Sequence, residues 1–236
     1  MKFNKNITTT LFAMVILVVS NYNLIAQNTT ETPEIIKVTL KTDVSEIEQV
    51  IANGADINQQ DDKGYTALIW ACSYSSRKNY SDAAKLLISK GANINIQAND
   101  GNAAIIEAAG SSPEIFNLLI DKGADVKVKK NDGSGAFFDC LATLINYGFE
   151  FNNDYKKVIE FLLAEGANVD DAPVSGDLKG FTPLIFAARD NKLEIAKLLI
   201  EHGADVNARN TYEQTPLSVA EGKPEMINLL KTNGAK

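Results

Sequence analysis

Histidine occurs once in the 236 residues, at position 202, and cysteine twice, at 72 and 140. Acid–base, nucleophilic and metal-assisted chemistry draw on clusters of such residues, and none is set out here at working spacing. His202 directly precedes Gly203 at the end of an apolar segment. That is the place of a solvated last-turn residue favoured by the helix dipole. Asp61-Asp62 and Asp170-Asp171 are adjacent acids in polar stretches and read as solvated loop carboxylates. Gly133-Ser134-Gly135 reads as a hairpin tip, and no C-x-x-C, G-x-S-x-G, Walker or G-x-G-x-x-G pattern occurs. The expectation is a chain that is not an enzyme and that uses no metal and no cofactor.

The elements that would position these side chains begin after a leader. Lys2 and Lys5 precede the apolar run Leu11 to Val19, and Ala26 offers a small residue before Gln27. This is the layout of a secretory signal peptide over residues 1–26, although Leu24 is bulky for its place before the cut. The run is short of the ~20 apolar residues that span a bilayer. No cysteine follows it to take a lipid, so no stable membrane anchor is expected once it is removed. The leader is bacterial in style, which leaves the glycosylation patterns Asn28-Thr29-Thr30 and Asn79-Tyr80-Ser81 without a role. Periplasmic or secreted localisation follows as an expectation. Removal of the leader would leave 21 basic against 30 acidic residues, a surface that repels nucleic acid.

From there on the chain repeats itself. Gly180 to Asn210 reads GFTPLIFAARDNKLEIAKLLIEHGADVNARN. Thr182 is placed to cap a first helix with Pro183 at its start. Leu184, Ala187 and Ala188 follow at helical spacing, and Asp190-Asn191 breaks the segment. Leu193, Ile195, Ala196, Leu198, Leu199 and Ile200 cover too wide an arc for a surface helix, and Gly203 supplies a left-handed stop. Neither helix is long enough to stand alone, so units of this kind must stack. The closing turn recurs at Gly54-Ala55-Asp56, Gly91-Ala92-Asn93, Gly123-Ala124-Asp125, Gly166-Ala167-Asn168, Gly203-Ala204-Asp205 and Gly234-Ala235, at spacings of 31 to 43 residues.

This pattern resembles the ankyrin repeat, G-x-T-P-L-H-x-A-A, a loop, then V-x-x-L-L-x-x-G-A-D-V-N. The resemblance implies an all-α solenoid of about six helix-turn-helix units joined by β-hairpin-like loops. After a disordered linker over 27–34, the repeats are placed near 35–60, 61–97, 98–129, 130–176, 177–209 and 210–236. The first is degenerate, with Val44, Ile47, Val50 and Ile51 on its second helix. The second carries about four extra residues, expected as a loop over Ser73 to Ser81. In the third, Ala103-Ala104-Ile105 replaces Thr-Pro-Leu and removes the hydroxyl cap. The fourth gains about ten residues, with helices expected over Ala136 to Tyr147, capped by Gly148, and over Tyr155 to Ala164. Cys72 and Cys140 align with Ala188 and Ala187, small packing positions in units two apart, so both are expected as buried thiols rather than a disulfide. The histidine of T-P-L-H is replaced by Ile69, Ile106, Phe138, Ile185 and Ser218, which puts the rigidity between units in question.

By the same resemblance, a protein partner is bound along the concave side by hairpin tips and the exposed edge of each first helix. Carried over position by position, that edge comprises Lys63, Tyr65, Tyr74, Asp100, Asn102, Lys179, Phe181, Arg189, Tyr212 and Gln214. Tyr65, Phe181 and Tyr212 are expected as exposed rings at one equivalent hairpin site, an anchor set of the kind that dominates interfaces. The functional expectation is a monomeric, exported, non-catalytic protein–protein adaptor. The alternatives are an inhibitor or immunity-type partner of a toxin or enzyme, and an enzyme whose site the repeat-four insertion completes.

Overall fold

The computed structural model describes residues 32–146 and 150–236, so the leader, linker residues 27–31 and the Gly148 cap lie outside the described residues, while Glu34, expected in the linker, opens a helix. The chain divides into two compact units between Asn93 and Ile94. The first holds α1 (Glu34–Lys41), α2 (Val44–Ala52), α3 (Ala67–Ser73) and α4 (Lys78–Ser89). The second holds α5 (Ala104–Ser111), α6 (Pro113–Asp121), α7 (Ala136–Asn146), α8 (Asn153–Ala164), α9 (Pro183–Arg189), α10 (Leu193–Glu201), α11 (Pro216–Val219) and α12 (Pro224–Thr232). Among the described residues extended pairing is confined to the isolated bridges Gln60–Thr66, Gln97–Ala103 and Lys129–Gly135, each closing a hairpin ahead of a first helix. The fold class is all-α.

Local chemistry sets the helix starts. The hydroxyls of Thr66 and Thr182 accept from the Ile69 and Ile185 amides, at 3.2 and 3.4 Å. Thr215 and Ser218 cap each other reciprocally. Ala103 has no hydroxyl to offer and α5 begins without a side-chain cap bond. Second helices start on Asp43, Ser112 and Asn152, each accepting from first-turn amides.

The helix ends explain the Gly-Ala pair. After α10, Gly203 adopts φ 86° and its N–H donates to the Ile200 carbonyl, while the Ala204 N–H reaches back to the Leu199 carbonyl at 3.0 Å. This double bond pattern satisfies two carbonyls that the helix leaves open. It recurs at Gly54, Gly91, Gly123, Gly166 and Gly234, each at positive φ with the following alanine bonded five residues back.

Within the first unit α1 packs on α3 and α2 on α4, burying Ile35, Ile36, Ile47, Leu68, Ile69 and Leu87. Within the second, first helices pack along the series α5, α7, α9, α11, and second helices pair as α6 with α8 and α10 with α12. Each first helix also rests on its own second helix. Phe116, Ile105, Ile106, Ile115, Leu119 and Phe186 are buried there. Ile69, Ile106, Phe138 and Ile185, at the replaced histidine position, are all buried, so that position packs by apolar contact. The close approach of α5 to α7 depends on Gly110: a Cβ there would lie 2.7 Å from Thr143 Oγ1.

The two insertions are built alike. The extra residues of the second repeat are only partly loop, because α4 starts at Lys78 and runs 12 residues. α8 likewise runs 12 residues, starting two before the expected Tyr155. Each longer helix carries a tyrosine in its first turn that reaches the end of the preceding repeat's first helix. Tyr80 Oη donates to the Leu40 carbonyl at 3.0 Å, and Tyr155 Oη to the carbonyls of Gly110 and Ser111 at 3.3 and 3.2 Å. All three carbonyls lie in the last turn of a first helix, where the helix offers no amide of its own.

Candidate functional site

The hairpin tips and the first helices that follow them form the face on which the expected contact residues fall. In the first unit, Asp61 anchors this face. Its carboxylate accepts from the Lys63 and Tyr65 amides at 3.0 and 2.9 Å and from the Trp70 indole at 3.0 Å. Asp61 is therefore buried structure, not the solvated loop acid expected of it; Asp62 beside it is exposed. Tyr65, Trp70 and Tyr74 make a run of rings, with centroids 4.9 Å apart for the first pair and 6.5 Å for the nearly parallel second pair. Tyr65 and Tyr74 are half-buried, Lys63 is exposed, and the Arg77 guanidinium lies 5.9 Å from the Tyr74 ring centre.

In the second unit the tips are laced to one another. The Asn131 N–H donates to the Asp100 carbonyl at 2.8 Å, the Val174 N–H to the Asp132 carbonyl at 2.8 Å, and Thr211 Oγ1 to the Lys179 carbonyl at 3.1 Å. Asp100 and Lys179 are exposed at this row, and Val174 and Tyr212 are the large apolar side chains most open to water, 65% and 63% exposed. Arg189 is half-buried: its guanidinium lies 4.6 Å over the Phe186 ring and pairs with Asp190 at 2.6 Å. Gln214 is half-buried, its amide oxygen accepting from Asn210 Nδ2.

Three expectations need correction. Phe181 is buried, 8% exposed, because its ring is covered edge-on by Tyr212 (6.0 Å) and rests on Phe186 (5.4 Å). Asn102 is buried, 4% exposed, with its oxygen accepting from the Ala103 amide and its NH2 donating to Glu107. Tyr212 is not equivalent to Tyr65 and Phe181. Those two follow Gly64 and Gly180 at positive φ, whereas Tyr212 precedes Glu213, which holds the positive-φ place at 60°. Of the three rings expected to be exposed together, Tyr212 alone is open, Tyr65 is half-covered and Phe181 is covered.

In the second to fifth repeats the site four places after the first-helix cap holds Trp70, Glu107, Asp139 and Phe186, none of them among the expected contact residues. The regular offset from Thr66, Ala103, Gly135 and Thr182 is the signal that would have found them. Two of these are acidic and neighbours in the stack. Lys130 Nζ meets Asp139 Oδ2 at 2.5 Å. Burial pushes the Asp139 carboxyl up to about 6, against the pull of Lys130 and with help from Glu107 and Asp132. Burial acts to lower Lys130, but the surrounding acids outweigh it and hold the ammonium above its usual value.

The remaining reactive groups are structural. Cys72 and Cys140 are buried thiols outside any disulfide. Burial, reinforced by Asp139, holds the Cys140 thiol protonated, so it is no nucleophile. His202 is exposed at the end of α10, with Nδ1 2.9 Å from the Leu198 carbonyl. Asp170 accepts from the Asp205 amide, and Asp171 pairs with Lys129. An open cleft of about 500 Å³ beside α7 and α8 is floored by Phe137 and Leu162 and ringed by Lys127, Lys129, Glu165 and Asp171. It has charges of both signs and no nucleophile. Among the described residues no three His, Cys, Asp or Glu side chains converge as a metal set, and no helix is long and apolar enough to cross a membrane.

Comparison with known proteins bears on what this face is for. A family model described as ankyrin repeats, in three copies, matches residues 35–130 and 138–236. The potassium channel AKT2/3 of Arabidopsis thaliana is 30% identical over 216 residues, which is 90% of this chain and 19% of the channel. The serine/threonine-protein kinase VIK of the same plant is 47% identical over 55 residues, 22% of this chain and 13% of the kinase. A putative ankyrin repeat protein of Rickettsia bellii is 41% identical over 54 residues, 22% of this chain and 32% of that protein. The chain thus spans no more than about a third of the length of these relatives. Such repeats generally mediate protein–protein interaction and are generally non-catalytic.

Proposed function

Because the chain belongs to the ankyrin-repeat family, we propose that it is a non-catalytic scaffold that binds a protein partner through its hairpin tips and first-helix edges. The observation that carries this reading is the laced row of tips in the second unit. Backbone N–H groups of Asn131 and Val174 and the Thr211 hydroxyl hold the carbonyls of Asp100, Asp132 and Lys179, and Tyr212 is exposed beside them on buried Phe181. A rigid row with one open aromatic anchor and exposed charges of both signs offers shape and charge complementarity without a reacting group. In the first unit Lys63 and Tyr65, held by Asp61, present the same kind of edge. The excess of acids over bases favours a partner with a basic surface.

The partner is met outside the cytoplasm, since residues 1–26 have the layout of a leader. N-terminal sequencing of the protein recovered from its own cells should then begin near Gln27, and an intact start at Met1 in the cytoplasmic fraction would overturn export. For binding, the immobilised protein is used to capture a partner, whose affinity is then measured for the parent and for Y212A combined with K179A. Loss of Tyr212 as an anchor should weaken binding by about 2 kcal/mol or more; thermal stability should fall only by the small cost of uncovering Phe181, with the helical circular dichroism of the parent retained. Retention of no partner, or full affinity after both changes, would count against the reading.

A further inference from the structure

The closing turns of the second unit are joined in a regular way. The third residue of one turn donates its N–H to a side-chain oxygen on the fifth residue of the turn before. Asp125 donates in this way to Asn95 Oδ1 at 3.0 Å, and Asp205 to the Asp170 carboxylate at 3.1 and 3.2 Å. Between these two joints lies the one formed by the turns after α6 and α8. Its fifth residue is Lys127, which has no oxygen to offer, and among the described residues the Asn168 N–H meets no acceptor. The Asn168 side chain does not stand in for one, because its Oδ1 accepts from the Asp170 amide at 3.1 Å.

The open cleft of about 500 Å³ lies at this joint, with Lys127 and Asn168 both in its walls. A space of that size suits a short peptide segment better than a lone ion. Its four rim charges are not equivalent. Lys129 and Asp171 are paired with each other. Lys127 from the third repeat's turn and Glu165 from the end of α8 are exposed, and neither side chain has an ion-pair partner among the described residues. The Asp125 carboxylate, two residues from Lys127, is taken up by the Lys127 amide at 2.9 Å. The cleft therefore brings together a spare backbone donor, a spare cation and a spare anion.

We propose that this cleft binds a peptide segment in which an aspartate stands next to a lysine or arginine. The aspartate supplies the oxygen that Lys127 lacks: it accepts from the Asn168 N–H and pairs with the Lys127 ammonium. A carboxylate is preferred to an amide there because a charged acceptor answers both donors. The adjoining cation answers Glu165, so the site selects the pair of charges over an acid alone. None of these residues belongs to the row of hairpin tips, and the site does not rest on the function proposed above.

The test uses the full chain and the capped dipeptide acetyl-Asp-Lys-amide, followed by amide NMR. The Asn168 resonance should move downfield as the N–H gains an acceptor, with a Kd of about 1 mM. Acetyl-Asn-Lys-amide and acetyl-Asp-Glu-amide should each bind about tenfold more weakly. K127M removes the charge and leaves the Asn168 donor open, and it should weaken the dipeptide about tenfold. K127N supplies the missing oxygen from within the chain, so the dipeptide should no longer move the Asn168 resonance. Y212A combined with K179A should bind the dipeptide as the parent does. An Asn168 resonance unmoved at about twenty times the expected Kd, equal affinity for either control peptide, or parent-like binding by K127M or K127N would each overturn the site. Tighter binding of free aspartate than of the dipeptide would overturn the peptide assignment. Those results would leave the tip row untouched. Binding lost in the Tyr212 and Lys179 double variant but kept in K127M would put the dipeptide on the tip row and overturn the cleft.

Discussion

Tyr155 joins two repeats through one hydroxyl. Its ring is buried at 6% exposure, and its phenol donates to the last carbonyls of α5. Burial holds its pKa up to about 12, so it remains a donor at every pH the fold survives. Y155F keeps the ring and removes the donor, leaving helix-end carbonyls with little water to replace it. We expect a loss of about 1 kcal/mol, read as a lower urea midpoint with an unchanged slope. Gly110, one of the two acceptors, is also where α7 comes closest, so a carbonyl and a missing Cβ serve the same joint. Cys140 fills a small buried place on the same helix, and its protonated thiol explains why a residue capable of chemistry performs none.

At the scale of the helix pair, what could be read from the chain alone followed rules that act within a few residues. Thr66, Thr182 and Thr215 cap as their position before the apolar run implies, and six Gly-Ala pairs close second helices because only a local left-handed turn is needed. The burial of Phe181 was not legible in this way. It depends on Tyr212, a residue of the next repeat whose offset was set by Glu213 taking the positive-φ place of a glycine. Asn102 departs from expectation for the opposite reason: with no hydroxyl at Ala103, its amide turns inward to serve the backbone and Glu107. The tip row likewise consists of bonds between residues more than 30 apart, such as Thr211 to Lys179, and no periodicity in one repeat announces them. The Ser- and Tyr-rich composition of the second repeat's insertion suggests loop and hides a helical first turn with Tyr80 on the buried side.

Across the whole molecule, the loss of the T-P-L-H histidine raised the question of what links one unit to the next. Part of the answer lies in the closing turns. The fifth residue of the Gly-Ala motif accepts from the third residue of the next one within each compact unit: Asn58 from Asn93, Asn95 from Asp125, Asp170 from Asp205 and Asn207 from Lys236, at 2.8 to 3.2 Å. At the corresponding place after Gly123 the chain has Lys127, whose ammonium has no oxygen with which to accept from Asn168. K127N restores the acceptor and should raise stability by about 0.5–1.5 kcal/mol in thermal or urea unfolding. An unchanged midpoint would show that the two turns are too far apart to meet.

The position of that gap matters. The turn that lacks its stitch precedes the fourth repeat, where the spacing between closing glycines reaches 43 residues, the longest in the chain. A seam already unfastened there can accept added length without breaking a bond, whereas lengthening a fastened one would have to strain or sever it. Room for growth in this protein is therefore greatest where its stitching was dropped, and new loops grafted for another purpose should be best tolerated in the fourth repeat.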